Sequence, residues 1–143
     1  MEFSQALEPV GGSVEEVHRA FYSAWEQGDA AAALDLWVDS DDVSVLFPGG
    51  EPVWGREAVR AEVAEGIRLT RGIQFFFEQL RVVEHGEVAR LTCVENVAGP
   101  EAFVDGFELP AARIAVSSTY LHTDAGWRIW SHASGPVLFE VER

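Results

Sequence analysis

The spacing of apolar residues predicts helices in the first half of the chain. Ser13 and Glu16 form a capping box, and the apolar residues after it recur at helical spacing until a glycine ends the pattern. Asp29 predicts the N-cap of a second helix over residues 30–37. A third helix is predicted over residues 56–68, where apolar residues recur at every fourth position.

In the second half, apolar and polar residues alternate with a period of two, which predicts strands. A short strand is predicted over residues 43–47. Residues 98–108 are predicted to form a long loop, with Phe103 and Phe107 as anchors. Sequential strands with short turns favour an antiparallel meander. The predicted fold class is α+β: a curved antiparallel β-sheet wrapped around three N-terminal helices. Its four long strands cover residues 73–83, 88–97, 111–122 and 127–134.

The last predicted strand carries large side chains on both faces. Strict alternation sends Trp127 and Ile129 to one face of the sheet, and Trp130 and His132 to the other. A β-bulge in this strand would change the direction in which His132 points. Because neither face is plainly polar, we expect a packed layer or pocket on one side and a partner on the other.

Composition and charge restrict the partners that this chain can bind. It has 143 residues, which predicts one domain, and 48% of them are apolar. Its ten basic residues are all arginine, and 24 acidic residues give a net charge of -14. That charge argues against binding to nucleic acid or to anionic membranes. No segment approaches the ~18 apolar residues of a membrane span, and no signal peptide is visible. The single cysteine, Cys93, fits a cytoplasmic location.

Glu95, His132 and Tyr22 are the candidate catalytic residues. Glu95 ends an apolar strand face, where burial would raise the pKa of its carboxyl and suit it to acid–base chemistry. The alternative is a paired or solvated carboxylate at a pocket rim. His132 is either a base or donor, or a half-buried histidine satisfied by a backbone carbonyl. Tyr22 is either a donor to a ligand carbonyl or an aromatic residue with its hydroxyl in water.

The candidate substrate-binding residues are aromatic side chains from every predicted layer, together with the cysteine. Core packing explains each of them singly, but together they could line an apolar pocket. The cysteine has no basic neighbour in sequence, so we expect an inert thiol. No spacing predicts a metal site or a nucleotide-binding loop, so we expect neither metal nor cofactor. The set comprises Phe21, Trp25, Trp37, Phe47, Trp54, Phe75, Phe77, Cys93 and Trp130.

Several segments in order resemble the SnoaL-like branch of the nuclear transport factor 2-like superfamily. They are residues 21–29, 47–50, 54–59, 91–96 and 126–134. The last of them is also similar to the ending of the association domain of calcium/calmodulin-dependent kinase II. The resemblance spans residues 13–136 and leaves short tails at both ends. It implies a cone-shaped fold with a central pocket, and homodimerisation through the convex face of the sheet.

The resemblance alone does not give a reaction, because its members include enzymes of several kinds and non-catalytic scaffolds. The steroid-isomerase pattern requires acids where this chain has Phe47 and Val116, so we reject that mechanism. The acid and arginine cluster of limonene-type epoxide hydrolases has no clear counterpart either. We expect a cofactor-independent polyketide cyclase, dehydratase or isomerase acting on a hydrophobic, polyketide-like or aromatic metabolite. The alternative is a non-catalytic dimeric ligand-binding or assembly domain.

Overall fold

Within the described residues, three helices and six strands form an α+β fold, which is the fold class that the sequence predicts. The computed structural model describes residues 10–70, 72–98 and 112–139. The predicted loop with Phe103 and Phe107 lies outside the described residues. The helices are α1 Val14–Gln27, α2 Ala30–Leu34 and α3 Arg56–Leu69. The strands are β1 Ser44–Leu46, β2 Val53–Trp54, β3 Gln74–His85, β4 Val88–Ala98, β5 Ala112–Thr123 and β6 Gly126–Pro136.

The capping box at the start of α1 is formed as the sequence predicts. The Ser13 hydroxyl accepts a hydrogen bond from the Glu16 amide at 3.1 Å. The Glu16 carboxylate in turn accepts from the amides of Gly11 and Gly12, at 3.0 and 2.8 Å. Gly28 ends the helix in the left-handed conformation, with φ of 73°. One face of α1 packs against the sheet. The buried residues of this helix are Val14, Val17, His18, Phe21, Tyr22, Ala24 and Trp25.

The second helix is shorter than predicted because the backbone after it binds the sheet. It ends at Leu34 rather than at residue 37. The Ile129 amide donates to the Leu36 carbonyl, and the Val38 amide donates to the Ile129 carbonyl, both at 2.8 Å. Trp37 consequently forms a parallel bridge with Ile129 instead of continuing the helix.

The sheet is curved and unclosed, and its strand order is β2-β1-β6-β5-β4-β3. Strands β3 to β6 form the predicted antiparallel meander. Strand β1 instead pairs in parallel with β6, in a register that joins Val45 to His132. The sheet is therefore mixed rather than wholly antiparallel. The parallel pair joins β1, which follows the first helices, to β6.

A β-bulge in β6 determines which side chains face the helices. Ile129 pairs with Tyr120 and Ser131 pairs with Thr119, so Trp130 is an extra residue on this strand. As a result Ile129 and His132 are both buried, with 1% and 4% of their surface exposed. The strict-alternation prediction, which put these two side chains on opposite faces, is wrong, and the bulge is the reason.

Candidate functional site

A cavity of about 360 Å³ lies between α1, α3 and the inner face of the sheet. This volume is within the lower range of small-molecule pockets. Most of its lining is apolar, and the polar side chains are few. The lining residues are Phe21, Tyr22, Trp25, Phe47, Pro48, Glu62, Glu65, Gly66, Leu69, Thr70, Ile73, Phe75, Glu95, Val97, Ala112, Ile114, His132 and Ser134.

The cavity brings together all the candidate catalytic residues and part of the aromatic set. Tyr22 comes from α1, Glu95 from β4 and His132 from β6. The aromatic candidates that line the cavity with them are Phe21, Trp25, Phe47 and Phe75.

The other predicted substrate-binding residues do not line this cavity. Trp54 is 68% exposed, because it lies on the two-residue edge strand β2. Trp37 packs against Phe21 and borders a separate groove. Phe77 and Cys93 belong to the layer behind Tyr22 and His18, and Trp130 is the extra residue of the bulge.

Glu95 is a buried carboxylic acid in an otherwise apolar part of the sheet. Its neighbours across the strands are Phe77 and Ile114, and only 5% of its surface is exposed. Burial raises the pKa of Glu95 to about 7, and the nearby Tyr22 hydroxyl partly opposes this shift. Its Oε2 atom has no hydrogen-bond partner among the described residues. The raised pKa brings the titration of this carboxyl into the neutral pH range.

His132 links Glu95's neighbour Tyr22 to a buried serine. The Ser118 Oγ lies 2.8 Å from His132 Nδ1, and the Tyr22 hydroxyl lies 3.4 Å from His132 Nε2. Burial lowers the pKa of His132 to about 3, so its imidazole is neutral at physiological pH. Burial raises the pKa of Tyr22 well above its usual value, so this phenol keeps its proton.

The hydrogen bonds of this network can run in either of two directions. A neutral imidazole has one N–H donor and one acceptor nitrogen, whereas each hydroxyl can donate and accept. When Glu95 is a carboxylate, Ser118 donates to His132, His132 donates to Tyr22, and Tyr22 donates to Glu95. When Glu95 is protonated, all of these bonds reverse. The network therefore accommodates both proton states of Glu95.

A glycine within α3 and the threonine directly after this helix hold one wall of the cavity, and sequence reasoning missed both. A Cβ at Gly66 would lie 2.8 Å from Trp25 Cη2, so only glycine leaves room for the indole. The Trp25 Nε1–H donates to the Thr70 Oγ1 at 2.8 Å, which fixes the ring. A glycine within the helical pattern of α3 was the available signal, because glycine disfavours a helix interior unless packing requires it.

Cys93 and His18 form a separate buried pair behind the cavity. The Cys93 Sγ lies 4.0 Å from His18 Nε2. Burial raises the pKa of the Cys93 thiol to about 12 and lowers the pKa of His18 to about 4. Both groups are uncharged at neutral pH, so this pair supplies no thiolate nucleophile.

In residues 10–70, 72–98 and 112–139, no group of three or more His, Cys, Asp or Glu side chains is placed to hold a metal ion. None of the helices in these ranges has the length and apolar character needed to cross a membrane.

Comparison with known proteins identifies the family. The family model of the SnoaL-like domain matches residues 14–138, nearly the whole chain. The chain belongs to the SnoaL-like family. The resemblance noted in the sequence is thereby confirmed. No curated protein matches this SnoaL-like chain.

Solved structures share the SnoaL-like fold over nearly their whole length. A candidate dehydratase of the NTF2-like family from Streptomyces avermitilis is 28% identical, with a TM-score of 0.77 and coverage of 97% of this chain and 100% of that chain. A candidate calcium/calmodulin-dependent protein kinase type II association domain from Thiobacillus denitrificans is 23% identical, with a TM-score of 0.75 and coverage of 91% and 99%. An NTF2-like protein with a cystatin-like fold from Novosphingobium aromaticivorans is 23% identical, with a TM-score of 0.72 and coverage of 96% and 85%. At this identity the last two show the fold alone.

Proposed function

We propose that this SnoaL-like protein transfers a proton to or from an apolar small molecule held in the cavity. One observation carries the proposal: Glu95 lines the cavity, is buried, and has a pKa raised to about 7. A group with a pKa near the working pH can both accept and return a proton. The surrounding aromatic residues supply the apolar contact surface for a hydrophobic, polyketide-like or aromatic ligand.

The reaction class that fits this site is a cofactor-independent cyclisation, dehydration or isomerisation. In a dehydration, the Glu95 carboxylate would remove a proton from a carbon beside a ligand carbonyl. The electrons of the broken C–H bond form the new double bond, and the hydroxyl group leaves as water with the proton that Glu95 returns. The similar structure described as a candidate dehydratase supports this class.

Tyr22 and His132 would support Glu95 rather than transfer the proton themselves. Tyr22 keeps its proton, because its pKa is raised by burial and by Glu95. His132 is neutral and hydrogen-bonded at both ring nitrogens. Reversal of their hydrogen bonds would allow Glu95 to change its proton state without an unpaired neighbour.

Titration of Glu95 in the free protein tests the proposal directly. We expect one glutamate carboxyl to titrate near pH 7 in a carbon-detected NMR titration of protein labelled at glutamate. That signal should disappear in Glu95→Gln and persist in Glu84→Gln, an exposed glutamate on β3. A Glu95 carboxyl that titrates near pH 4.5 would remove the basis for proton transfer and leave a non-catalytic ligand-binding domain as the better account.

We also propose that two copies associate through the outer, convex face of the sheet. The middle of this face, on β4 to β6, carries small or uncharged side chains: Thr92, Val94, Ala115, Ser117, Thr119, Ser131 and Ala133. In a protein with a net charge of -14, an uncharged surface is where two copies can meet with the least repulsion.

Sedimentation analysis of a charge substitution on this face tests the dimer. Ser117→Glu should convert a micromolar dimer to a monomer, because it places like charges opposite each other. Ser23→Glu adds the same charge on the exposed side of α1 and should leave the dimer intact. A monomeric wild-type protein at micromolar concentration would refute the proposal.

A cytoplasmic location is likewise proposed, and it rests on the single cysteine, Cys93. Fractionation of cells that express the protein would test it. Recovery of the protein outside the cytoplasm would refute it.

A further inference from the structure

Among the described residues, the charged side chains that line the cavity are all acidic. Glu62 and Glu65 on α3 line its outer part, and Glu95 lines its inner part. No arginine occurs among the described residues that line the cavity, and the sequence contains no lysine. Arg68 pairs with Glu65 at 2.6 Å, but both side chains are largely exposed, so this pair screens the cavity little. A ligand that carries a negative charge would find no cationic partner among these lining residues.

The inner end of the cavity contains an acceptor without a donor. Only 5% of the surface of Glu95 is exposed, and its Oε2 has no hydrogen-bond partner among the described residues. A buried carboxylate oxygen that lacks a hydrogen bond is unfavourable, and a ligand that brings N–H donors would satisfy it. A charge-assisted bond from an ammonium group is stronger than one from a neutral hydroxyl.

Aromatic rings line the same cavity as these carboxyl groups. Tyr22 and Phe75 have ring centroids 4.7 Å apart, and Trp25 and Phe47 have centroids 5.3 Å apart. All four residues line the cavity, together with Phe21. Aromatic rings attract cations electrostatically while also providing apolar contact for a hydrocarbon skeleton.

We infer that the cavity is a binding site for a hydrophobic amine, whose ammonium group pairs with Glu95 and whose apolar skeleton contacts the aromatic residues. A bound ammonium group would hold Glu95 as the carboxylate and fill the space that a substrate needs. Such an amine would therefore block the proton transfer proposed above. The inference rests on the cavity of the proposed function, but it does not require that the protein be a catalyst.

Binding of three isosteric probes tests the inference. The probes are naphthalene derivatives that carry a methylamine, a methanol or a carboxylate group, and binding is measured by isothermal titration calorimetry at neutral pH. We expect the amine to bind at least about tenfold more tightly than the alcohol, since a charged hydrogen bond replaces a neutral one. We expect no measurable binding of the carboxylate.

Variants of two glutamates identify the partner of the amine. Glu95→Gln should remove the preference for the amine over the alcohol while retaining alcohol binding, which also shows that the cavity is still folded. Glu84→Gln, which changes the net charge equally on the exposed part of β3, should behave as wild type.

Each other outcome would overturn the inference. Equal or tighter binding of the alcohol would refute the preference for an amine. A preference that survives in Glu95→Gln would refute Glu95 as its partner. Failure of all three probes to bind would refute the amine site, whereas the proposed proton transfer is judged separately by the NMR titration of Glu95 in the ligand-free protein.

Discussion

His132 and His18 are both buried against Tyr22, but their surroundings differ. His132 has a hydrogen-bond partner at each ring nitrogen and lines the cavity. His18 contacts the thiol of Cys93 at 4.0 Å, packs against the Phe77 ring, and does not line the cavity. Burial lowers the pKa of both imidazoles, to about 3 and about 4.

The difference shows that a shifted pKa does not by itself identify a functional group. Both histidines favour the unfolded state in acid, because their pKa values are lower in the folded protein. Their contribution to stability is present above pH 6.5 and is lost as the pH falls through about 4 for His18 and about 3 for His132. What separates them is the hydrogen-bond network beside the cavity. His132 belongs to this network, which includes Glu95, whereas His18 does not.

The largest effect that would sharpen this comparison is expected from Glu95→Gln. The pKa of Glu95 is raised in the folded protein from 4.5 to about 7. Its contribution to stability is therefore present below pH 4.5 and is lost as the pH rises through 7. As the pH rises from 4 to 8, the unfolding free energy of Glu95→Gln should therefore increase by about 3 kcal/mol relative to that of the wild type. Urea denaturation at both pH values measures this gain.

The matched control in the His18 region is Cys93→Ala, because Cys93 lies behind the cavity. It should lower stability by a similar amount at both pH values, because it removes packing and no charge from the folded protein. If Glu95→Gln changes the unfolding free energy equally at pH 4 and at pH 8, the contrast between the His132 region and the His18 region is lost.

The second prediction concerns the histidines themselves at neutral pH. His132→Leu should cost about 2 kcal/mol, because it removes the buried hydrogen bonds of His132 to Ser118 and to Tyr22. His18→Leu should change stability by less than about 1 kcal/mol, because it replaces a weak contact to sulfur with apolar packing. Chemical denaturation compares the two variants, and equal costs would show that the network adds nothing beyond burial.

The smallest effect is expected from Ser118→Ala, at about 1 kcal/mol. Its informative result is a change in the tautomer of His132, read from the nitrogen chemical shifts of the imidazole. Ser118 bonds to His132 Nδ1, whereas Ser117 lies on the opposite face of β5, so Ser117→Ala is the control. An unchanged His132 tautomer in Ser118→Ala would show that this serine does not orient the ring.

The sequence predicted the elements of this fold better than their long-range pairing. The capping box of α1 and the alternation of β4 and β5 are local signals, and the structure confirms them. The parallel pairing of Val45 with His132 joins distant segments and leaves no local pattern. The early end of α2 at Leu34 has the same origin, since its next residues bind Ile129.

The candidate site was predictable to the extent that its residues lie on regular elements. Strand alternation put Glu95 at the end of the apolar face of β4, and this residue lines the cavity. The exposure of Trp54 was not predictable in this way, because exposure at a sheet edge depends on what covers that edge. Gly66 was missed, because its role is to leave space for Trp25, and an absent side chain has no chemistry of its own to detect.

The bulge at Trp130 has a consequence for how this gene can change. Strand β6 holds Ile129 and His132 on its inner face although two residues lie between them. Loss of the Trp130 codon would leave a single residue between them and restore ordinary alternation. The histidine would then keep its inward direction, so a one-codon deletion can pass through this strand without erasing the site.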